Sequence, residues 1–351
     1  MTDQEIHQLL SARGDEQKDL FARANAVRRE TVGEEVYFRG IIEFSNICEK
    51  NCFYCGIRRD NKKTNRFRMT HEEIDQCLQF IHETQYGSVV LQSGELTSQS
   101  ALDFVLHILQ NIREKYPTMG ITLSLGELPR EFYKVLKEAG ADRYLLRIET
   151  SNPHLYQKLH PSDHSFERRK QCLYDLKELG FQVGTGNMVG VPGQTVDDLV
   201  NDLRFFQELD ADMFGLGPYV FHEDTPLGTP ARKIWWKEKK RDILDTTLNF
   251  IALLRILMPT ANIATATALE AIHPRGRIYA LQAGANVFMP SVTPKEYRGL
   301  YLLYQNKPCI DEKADQCSGC SVAKVQSAGL IPALGKRGDA PHFSHHHHGK
   351  T

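Results

Sequence analysis

From about residue 34 to residue 289 the chain repeats one period: a short run of β-branched or apolar residues, then a longer stretch with apolar residues every three or four positions. Strands are predicted near 35–46, 87–92, 120–125, 142–149, 181–188, 212–220, 261–267 and 285–289. Helices are predicted between them, near 70–85, 99–115, 129–139, 165–179, 195–208, 238–257 and 270–282. Strands that alternate with helices pair in parallel, because each helix returns the chain to the end where it began. Eight such units over about 250 residues point to an α/β fold, a (β/α)8 TIM-type barrel. A doubly wound open sheet is the alternative; it needs a strand-order reversal that a sequence does not display. Capping residues support the helix limits. Thr70 and Glu73 make a capping box, Thr195 precedes Asp197 and Asp198, and Gly140 and Gly180 each close a helix ahead of a strand.

The flanks lie outside the period. Residues 1–33 read as an amphipathic helical segment, with a helix over 2–30; 34–307 as the barrel; and 308–351 as a cysteine-bearing extension with a helical stretch at 318–329 and a His-rich tail. A hydrophobic content of 41% supplies a core for a barrel of this size, and a formal net charge of −1 gives no global field to recruit nucleic acid or an anionic membrane. The local basic run Arg58, Arg59, Lys62, Lys63, Arg66 and Arg68 reads either as a solvated loop or as an anion contact. Met1 to Gly14 lacks the apolar stretch of a signal peptide, and the apolar segment Phe250 to Met258 is short and carries Arg255. The expectation is a soluble, cytoplasmic protein. There, eight cysteines argue for metal or redox chemistry rather than a disulfide framework.

Three of those cysteines are specifically spaced. Cys48, Cys52 and Cys55 follow the first predicted strand, at the mouth where active sites of this fold lie. By composition alone the spacing arises roughly a few times in a thousand. Three thiolates leave one iron of a [4Fe–4S] cluster open to an exogenous ligand. A structural zinc site needs four closed ligands, and the next candidate, His71, is sixteen residues beyond Cys55.

The motif, with Tyr54 as the aromatic before its last cysteine, resembles the signature of radical S-adenosylmethionine (SAM) enzymes. Ser93-Gly94-Glu95 resembles that family's GGE segment with Ser for the first Gly, and Gly186 to Gly193 resembles its glycine-rich segment beside the adenine. Over nearly the whole chain, segments such as Ile41 to Asn46, Tyr54 to Asn61, Thr122 to Glu127, Gly140 to Arg147, Met188 to Thr195 and Gly284 to Pro290 are similar to the HydE family, radical SAM maturases of [FeFe]-hydrogenase. The resemblance implies a [4Fe–4S] cluster on Cys48, Cys52 and Cys55, with SAM chelating its open iron. It implies SAM contacts at Tyr54, Ser93, Gly94, Glu95, Ser124, Glu149, Arg169 and Met188, and substrate contacts at Thr122, Arg147, Met213, Thr267, Met289, Tyr301 and Tyr304. It implies a second iron–sulfur cluster, present in some members, on Cys309, Cys317 and Cys320. The substrate so implied is a cysteine-bound iron carbonyl/cyanide precursor. The implied partners are the maturases HydG and HydF and a reducing electron donor.

The residues carry some of these roles unaided. Glu149 ends a predicted strand at the mouth, and Arg169 suits a carboxylate bidentately, an exposed helix charge being its alternative. Arg147 and Glu149, two apart on a strand, share a face, so Arg147 serves either a substrate anion or Glu149 itself. Ile148, where some HydE sequences have His, is expected to face away from the site. Ser318-Gly319 reads as a tight turn between Cys317 and Cys320, and zinc or metal-free thiols remain alternatives to a second cluster there. Cys77 and Cys172 read as buried small apolar residues. Biotin synthase carries extra cysteines at its strand ends; 91–95, 123–126 and 186–189 contain none, which argues against sulfur insertion. A methylornithine synthase-like mutase and a non-catalytic iron–sulfur carrier or scaffold stay open.

Overall fold

The structure, a computed structural model, describes residues 1–312 and 314–347. The side chains of 314–317 and 345–347 lie outside the described residues, and with them the Cys317 thiol and the His-rich tail. Eight parallel strands form one sheet in chain order: β1 (Glu35–Ser45), β2 (Ser88–Ser93), β3 (Gly120–Ser124), β4 (Arg143–Leu145), β5 (Gln182–Thr185), β6 (Met213–Phe214), β7 (Asn262–Ile263) and β8 (Val287–Phe288). β8 pairs back onto β1 at Tyr37 and Phe38. The remaining seam, β7 to β8, is bridged by the Asn286 N–H to Ile263 O at 3.0 Å and the Thr265 N–H to Val287 O at 2.9 Å. The sheet is a nearly closed (β/α)8 barrel; every strand falls inside a predicted one except β2, which runs one residue past its predicted end at 92.

The later strands are shorter than predicted, for a reason visible at Gly186 and Gly215. There the chain leaves the barrel ladder, and Met188–Val189 pairs with Gly217–Pro218 in a separate two-stranded sheet above the mouth. A Cβ on Gly186 would run into the Gly215 backbone, so the two strands diverge at a contact only glycine permits.

The helices follow the capping chemistry. Thr70 Oγ1 accepts from the Glu73 N–H at 3.2 Å while the Glu73 carboxylate accepts from the Thr70 N–H at 2.7 Å, opening His71–Glu83. The longest helix, Pro230–Leu257, starts eight residues before its predicted limit, with Thr229 as cap and Pro230 in the first turn. The predicted 270–282 helix divides into Ala268–Ile272 and Gly276–Gln282 around Pro274. The predicted N-terminal helix is two, Asp3–Leu10 and Gly14–Thr31, both packed on Pro230–Leu257. A further helix, Pro153–Leu159, is capped by Asn152 where a loop was expected.

Arg255, which interrupts the most apolar stretch of the chain, is completely buried. Its guanidinium donates to Gly284 O, Pro259 O, Ala261 O and Asn286 Oδ1 at 2.6–3.0 Å, tying the long helix to the β7–β8 seam. A buried cation with a full donor set is tolerated where an unsatisfied one is not.

Beyond Pro308 the chain does not simply trail away. Helix Ala314–Ser327 is followed by Ile331–Ala333, which pairs parallel with the start of β1. Residues 335–340 then cross the end of the barrel opposite the mouth. Gly338 O accepts from Arg39 Nη2 and Asn262 Nδ2, both at 2.9 Å, Asp339 pairs with Arg143 and accepts from Gln182 Nε2 at 2.7 Å, and Arg337 O accepts from Ser88 Oγ at 2.6 Å. The segment contacts β1, β2, β4, β5 and β7, so it forms the floor of the barrel.

Candidate active site

The cysteine loop leaves β1 at the mouth and is pinned by backbone bonds to four distant segments. The Glu49 N–H donates to Glu95 O at 2.8 Å, Phe53 N–H to Leu159 O at 2.9 Å, Gly56 N–H to Leu303 O at 2.9 Å, and Phe53 O accepts from the Leu227 N–H at 3.0 Å. Arg66, from the basic run, donates to Asn46 O, Ile57 O and Arg58 O at 2.6–2.7 Å, so this arginine holds the loop's base. Gly94 lets the end of β2 close onto the loop: a Cβ there would collide with Ile47 O and sit 2.8 Å from Cys48 Cβ. Directly beyond, the Glu95 N–H points at Cys48 Sγ at 3.4 Å.

The three thiols are half-buried, and desolvation shapes them. It raises Cys48 and Cys52 above the usual range and pushes Cys55 up to about 12. A buried thiolate needs a cation, and metal coordination supplies one. The three sulfurs are not all within 4.8 Å of one another; among the described residues only Cys52, His160 and His164 bring ligand atoms that close. A single tetrahedral zinc ion on sulfurs about 2.3 Å away would draw them to within roughly 4 Å of each other. As placed, the three thiols do not converge on one ion, and a donor set of three thiols is compatible with a cluster that spreads its thiolates.

A buried charge ladder adjoins the loop. Lys50 Nζ lies 3.1 Å from Glu95 Oε1 and 3.0 Å from Glu127 Oε2, and Arg169 Nε lies 2.7 Å from Glu127 Oε1. The Glu127 N–H donates to Glu95 Oε2 at 2.8 Å. Burial raises Glu95; burial alone would also raise Glu127, but Arg169 and Lys50 pull it below the ordinary value. Against burial, Glu95 and Glu127 hold Lys50 protonated. Arg169 is thus buried on its helix, Phe166–Glu178, and not an exposed charge.

Other expected residues fall around the same mouth. Ser93 and Ser124 end β2 and β3, half-buried. Met188, buried, sits in the small upper sheet. Tyr54 OH donates to His160 Nε2 at 3.3 Å. Glu149 does not end β4, which stops at Leu145: its φ is +67°, and it bridges Asn187. This left-handed conformation is costly for a non-glycine residue and recurs at binding sites. It brings Glu149 Oε2 to 2.9 Å from Arg147 Nη2, which also donates to Asn187 O at 2.7 Å. Arg147 thus pairs with Glu149 in the structure. Ile148 is buried, its N–H facing Thr185 Oγ1 at 3.3 Å.

Deeper in the barrel Thr122, Met213 and Met289 line one cavity together with Arg39 and Asn262. Arg39 Nη1 donates to Met213 Sδ at 3.0 Å, while Arg39 Nε and Thr122 Oγ1 are buried without a hydrogen-bond partner. Nearer the mouth, Tyr301 OH accepts from Gln92 Nε2 at 3.2 Å, Tyr304 packs into the apolar cluster that includes Tyr54, and Thr267 begins Ala268–Ile272. Lys307 clamps this loop from above, 2.6–2.7 Å from both oxygens of Glu43 and 3.0 Å from Tyr301 O.

Cys309 follows the Lys307 clamp by two residues, and Cys320 lies on helix Ala314–Ser327. Arg298, buried, donates to Cys309 O and Glu312 O at 2.9 Å, to Thr293 O at 2.6 Å and to Ser291 O at 3.1 Å, which anchors the Cys309 loop to the end of β8. Positions 317 and 320 lie one turn apart on Ala314–Ser327, so the tight turn expected at Ser318-Gly319 is a helical turn instead. Cys77 and Cys172 are buried in the core, as expected.

The sequence reading missed Arg39, Glu43, Lys50, Glu127, His160, His164 and Lys307. Arg39 and Glu43 did leave a signal: two charges an even number of positions apart on an apolar strand share one face, here the interior. Lys50, inside the cysteine motif, left none.

Comparison with known proteins agrees with this geometry. Residues 42–206 match the Radical SAM superfamily model. Over 313 residues, 89% of this chain and 86% of the relative, the sequence is 50% identical to the [FeFe] hydrogenase maturase subunit HydE of Thermotoga maritima. The chain belongs to the HydE family of radical SAM enzymes. It is also 27% identical to the 3-methylornithine synthase of Methanosarcina acetivorans, over 95% of this chain and 91% of the relative. The solved structure of a methylornithine synthase superposes with a TM-score of 0.78 at 24% identity, covering 95% and 94% of the two chains, which shows a shared fold. Membership of the family brings with it a [4Fe–4S] cluster and SAM. No helix among the described residues is long and apolar enough to cross a membrane.

Proposed function

We propose that this enzyme matures [FeFe]-hydrogenase, acting on a cysteine-bound iron carbonyl/cyanide precursor inside its barrel. When bound, the reduced cluster supplies one electron to the SAM sulfonium, which releases methionine and a 5′-deoxyadenosyl radical. In this reading Cys48, Cys52 and Cys55 hold the cluster. Arg169 takes the SAM carboxylate, Glu95 and Ser93-Gly94 its amino end, Glu149 its ribose, and Ser124, Tyr54 and Met188 the rest of the molecule. Thr122, Arg147, Met213, Thr267, Met289, Tyr301 and Tyr304 face the substrate, with Arg147 reading its anionic part. Residues 34–307 form the catalytic barrel, 1–33 brace it, and 308–351 carry a second cluster on Cys309, Cys317 and Cys320. The precursor comes from HydG, and the product goes on to HydF.

The observation that supports this reading over the mutase is the 50% identity to HydE against 27% to methylornithine synthase, at comparable coverage. The geometry supports the cluster: three half-buried thiols on one pinned loop at a barrel mouth, beside a buried arginine. Anaerobically reconstituted protein is expected to release 5′-deoxyadenosine from SAM and dithionite, and to support hydrogenase maturation with its partner maturases. Loss of the first result sinks the enzyme reading in favour of an iron–sulfur carrier; loss of only the second sinks the substrate. Arg147→Ala is expected to weaken substrate binding, and unchanged binding would remove the anion role.

A further inference from the structure

Behind the cysteine loop stand two histidines with no role in the proposed reaction. His160 follows helix Pro153–Leu159 and His164 precedes helix Phe166–Glu178; both are buried, and their rings lie 5.6 Å apart. A ring nitrogen of each and Cys52 Sγ all lie within 4.8 Å of one another, the only such trio of ligands among the described residues. We propose that Cys52, His160 and His164 form a mononuclear site for one divalent ion of the zinc or ferrous type in the cluster-free chain.

The hydrogen bonds prepare both rings. His160 Nδ1 lies 2.9 Å from Tyr156 O. A carbonyl only accepts, so this nitrogen carries the proton and Nε2 is the acceptor; in the structure it takes the long 3.3 Å bond from Tyr54 OH, which metal binding would exchange for coordination. A metal-bound histidine is held in just this way, its second nitrogen donating to a backbone carbonyl. The ring is also stacked on Tyr156 at 3.9 Å, which fixes its plane. His164 Nε2 accepts from the Asn51 N–H at 3.3 Å, and its Nδ1 is buried with no hydrogen-bond partner. Binding through Nδ1 moves the ring proton to Nε2. There the weak Asn51 bond is given up, and the Asp163 carboxylate, 3.7 Å away, is placed to accept instead. One thiolate and two imidazoles with an open fourth position suit a borderline-soft divalent ion.

The consequence for the enzyme rests on Cys52 being a cluster ligand, as proposed above. One thiolate cannot serve both sites as placed, so the single ion and the cluster exclude each other. Ferrous iron here would be poised for cluster assembly, and zinc would block it.

The test uses the full chain, purified without its cluster, with Cys309, Cys317 and Cys320 changed to Ser to silence the extension. Cobalt(II) is titrated in and followed by thiolate-to-cobalt charge transfer and tetrahedral ligand-field absorption. One cobalt per chain is expected. Cys52→Ser should abolish the charge-transfer band, and His160→Gln and His164→Gln should each weaken binding at least ten-fold. Cys48→Ser and Cys55→Ser should change it less than three-fold. Equal loss in Cys48→Ser or Cys55→Ser, or unchanged binding in both histidine variants, overturns the proposal in favour of a three-thiol site. X-ray absorption of the zinc-loaded parent keeps the test decisive should a variant misfold: one sulfur and two imidazole nitrogens are expected, and a shell with more than one sulfur refutes the site. A separate arm reconstitutes the cluster first. Cobalt should then be excluded; cobalt binding beside an intact cluster would show that the cluster does not use Cys52, a failure of the cluster reading and not of the ion site.

Discussion

Glu127 is the member of the mouth whose removal is most informative, because it faces two cations with separate oxygens. Oε1 meets Arg169 Nε at 2.7 Å and Oε2 meets Lys50 Nζ at 3.0 Å, with the Arg169, Glu127 and Glu95 side chains under 10% exposed and Lys50 at 21%. Lys50, Glu95, Glu127 and Arg169 sum to zero charge. Glu127→Gln leaves one excess positive charge at nearly constant volume. The amide must also turn its NH2 toward one of the two cations, so a donor meets a donor. At 3 Å and an effective dielectric of about 20, each contact carries about 5–6 kcal/mol of Coulomb attraction, most of it offset by desolvation. Breaking a buried pair by removing one partner costs about 3–5 kcal/mol. Because Lys50 keeps Glu95 and some solvent, the lower end, about 3 kcal/mol, is expected. The assay is urea unfolding of the cluster-free protein, followed by two probes whose transitions must coincide. A double-mutant cycle with Lys50→Met should give a coupling of about 1.5–3 kcal/mol, whereas the exposed pair Lys134–Glu138, 3.9 Å apart, should give under about 0.5 kcal/mol. Since Glu127 is depressed in the fold, its contribution is complete above the ordinary carboxyl value of 4.5 and fades as pH falls through the folded value. The gap between wild type and Glu127→Gln should therefore close in acid. A Glu127→Gln protein within about 0.5 kcal/mol of wild type at pH 7, or a coupling no larger than the control's, would show that the ladder is not the buried network described.

Three further outcomes follow from the same contacts. Gly94→Ala puts a methyl against Ile47 O and Cys48 Cβ, so the cysteine loop should shift and iron incorporation on reconstitution should fall at least several-fold; full iron loading would mean that the loop tolerates the displacement. Asp339 is lowered to about 2 because Arg143, Gln182 and Arg337 outweigh its burial. Its hold on the barrel floor is complete above 3.8 and lost as pH falls toward 2, so the hydrogen-exchange protection factors of the 335–340 amides should drop sharply between pH 4 and pH 2, and Asp339→Asn should be poorly protected at both. Arg298→Met removes the donors that hold Cys309 O and Glu312 O, so on the proposed second-cluster reading reconstituted iron should be lost from the extension while the loop at Cys48 keeps its own; retention of both refutes the anchoring role.

The barrel and the cysteine loop were legible in the sequence because both are local patterns. A strand's burial, a helix's cap and the spacing of Cys48, Cys52 and Cys55 are each written within about a dozen neighbouring residues. What escaped was set by convergence. Lys50 and Glu127 are 77 positions apart and meet only because the ends of β1 and β3 open onto one mouth. Arg143 and Asp339 are 196 apart and meet because the C-terminal segment returns beneath the barrel, where no periodicity marks it. Glu149 shows a third limit. Even spacing from Arg147 correctly placed the two side chains together, yet the backbone between them is not a strand, since Glu149 is left-handed. The right contact was reached through the wrong conformation. The same asymmetry separates the two metal readings. Three cysteines close in sequence announce a cluster. Cys52, His160 and His164 span more than a hundred residues, and only the fold brings them to ion-binding distance. A motif thus reports the ligands a site shares along the chain, while competing ligands are chosen by the barrel.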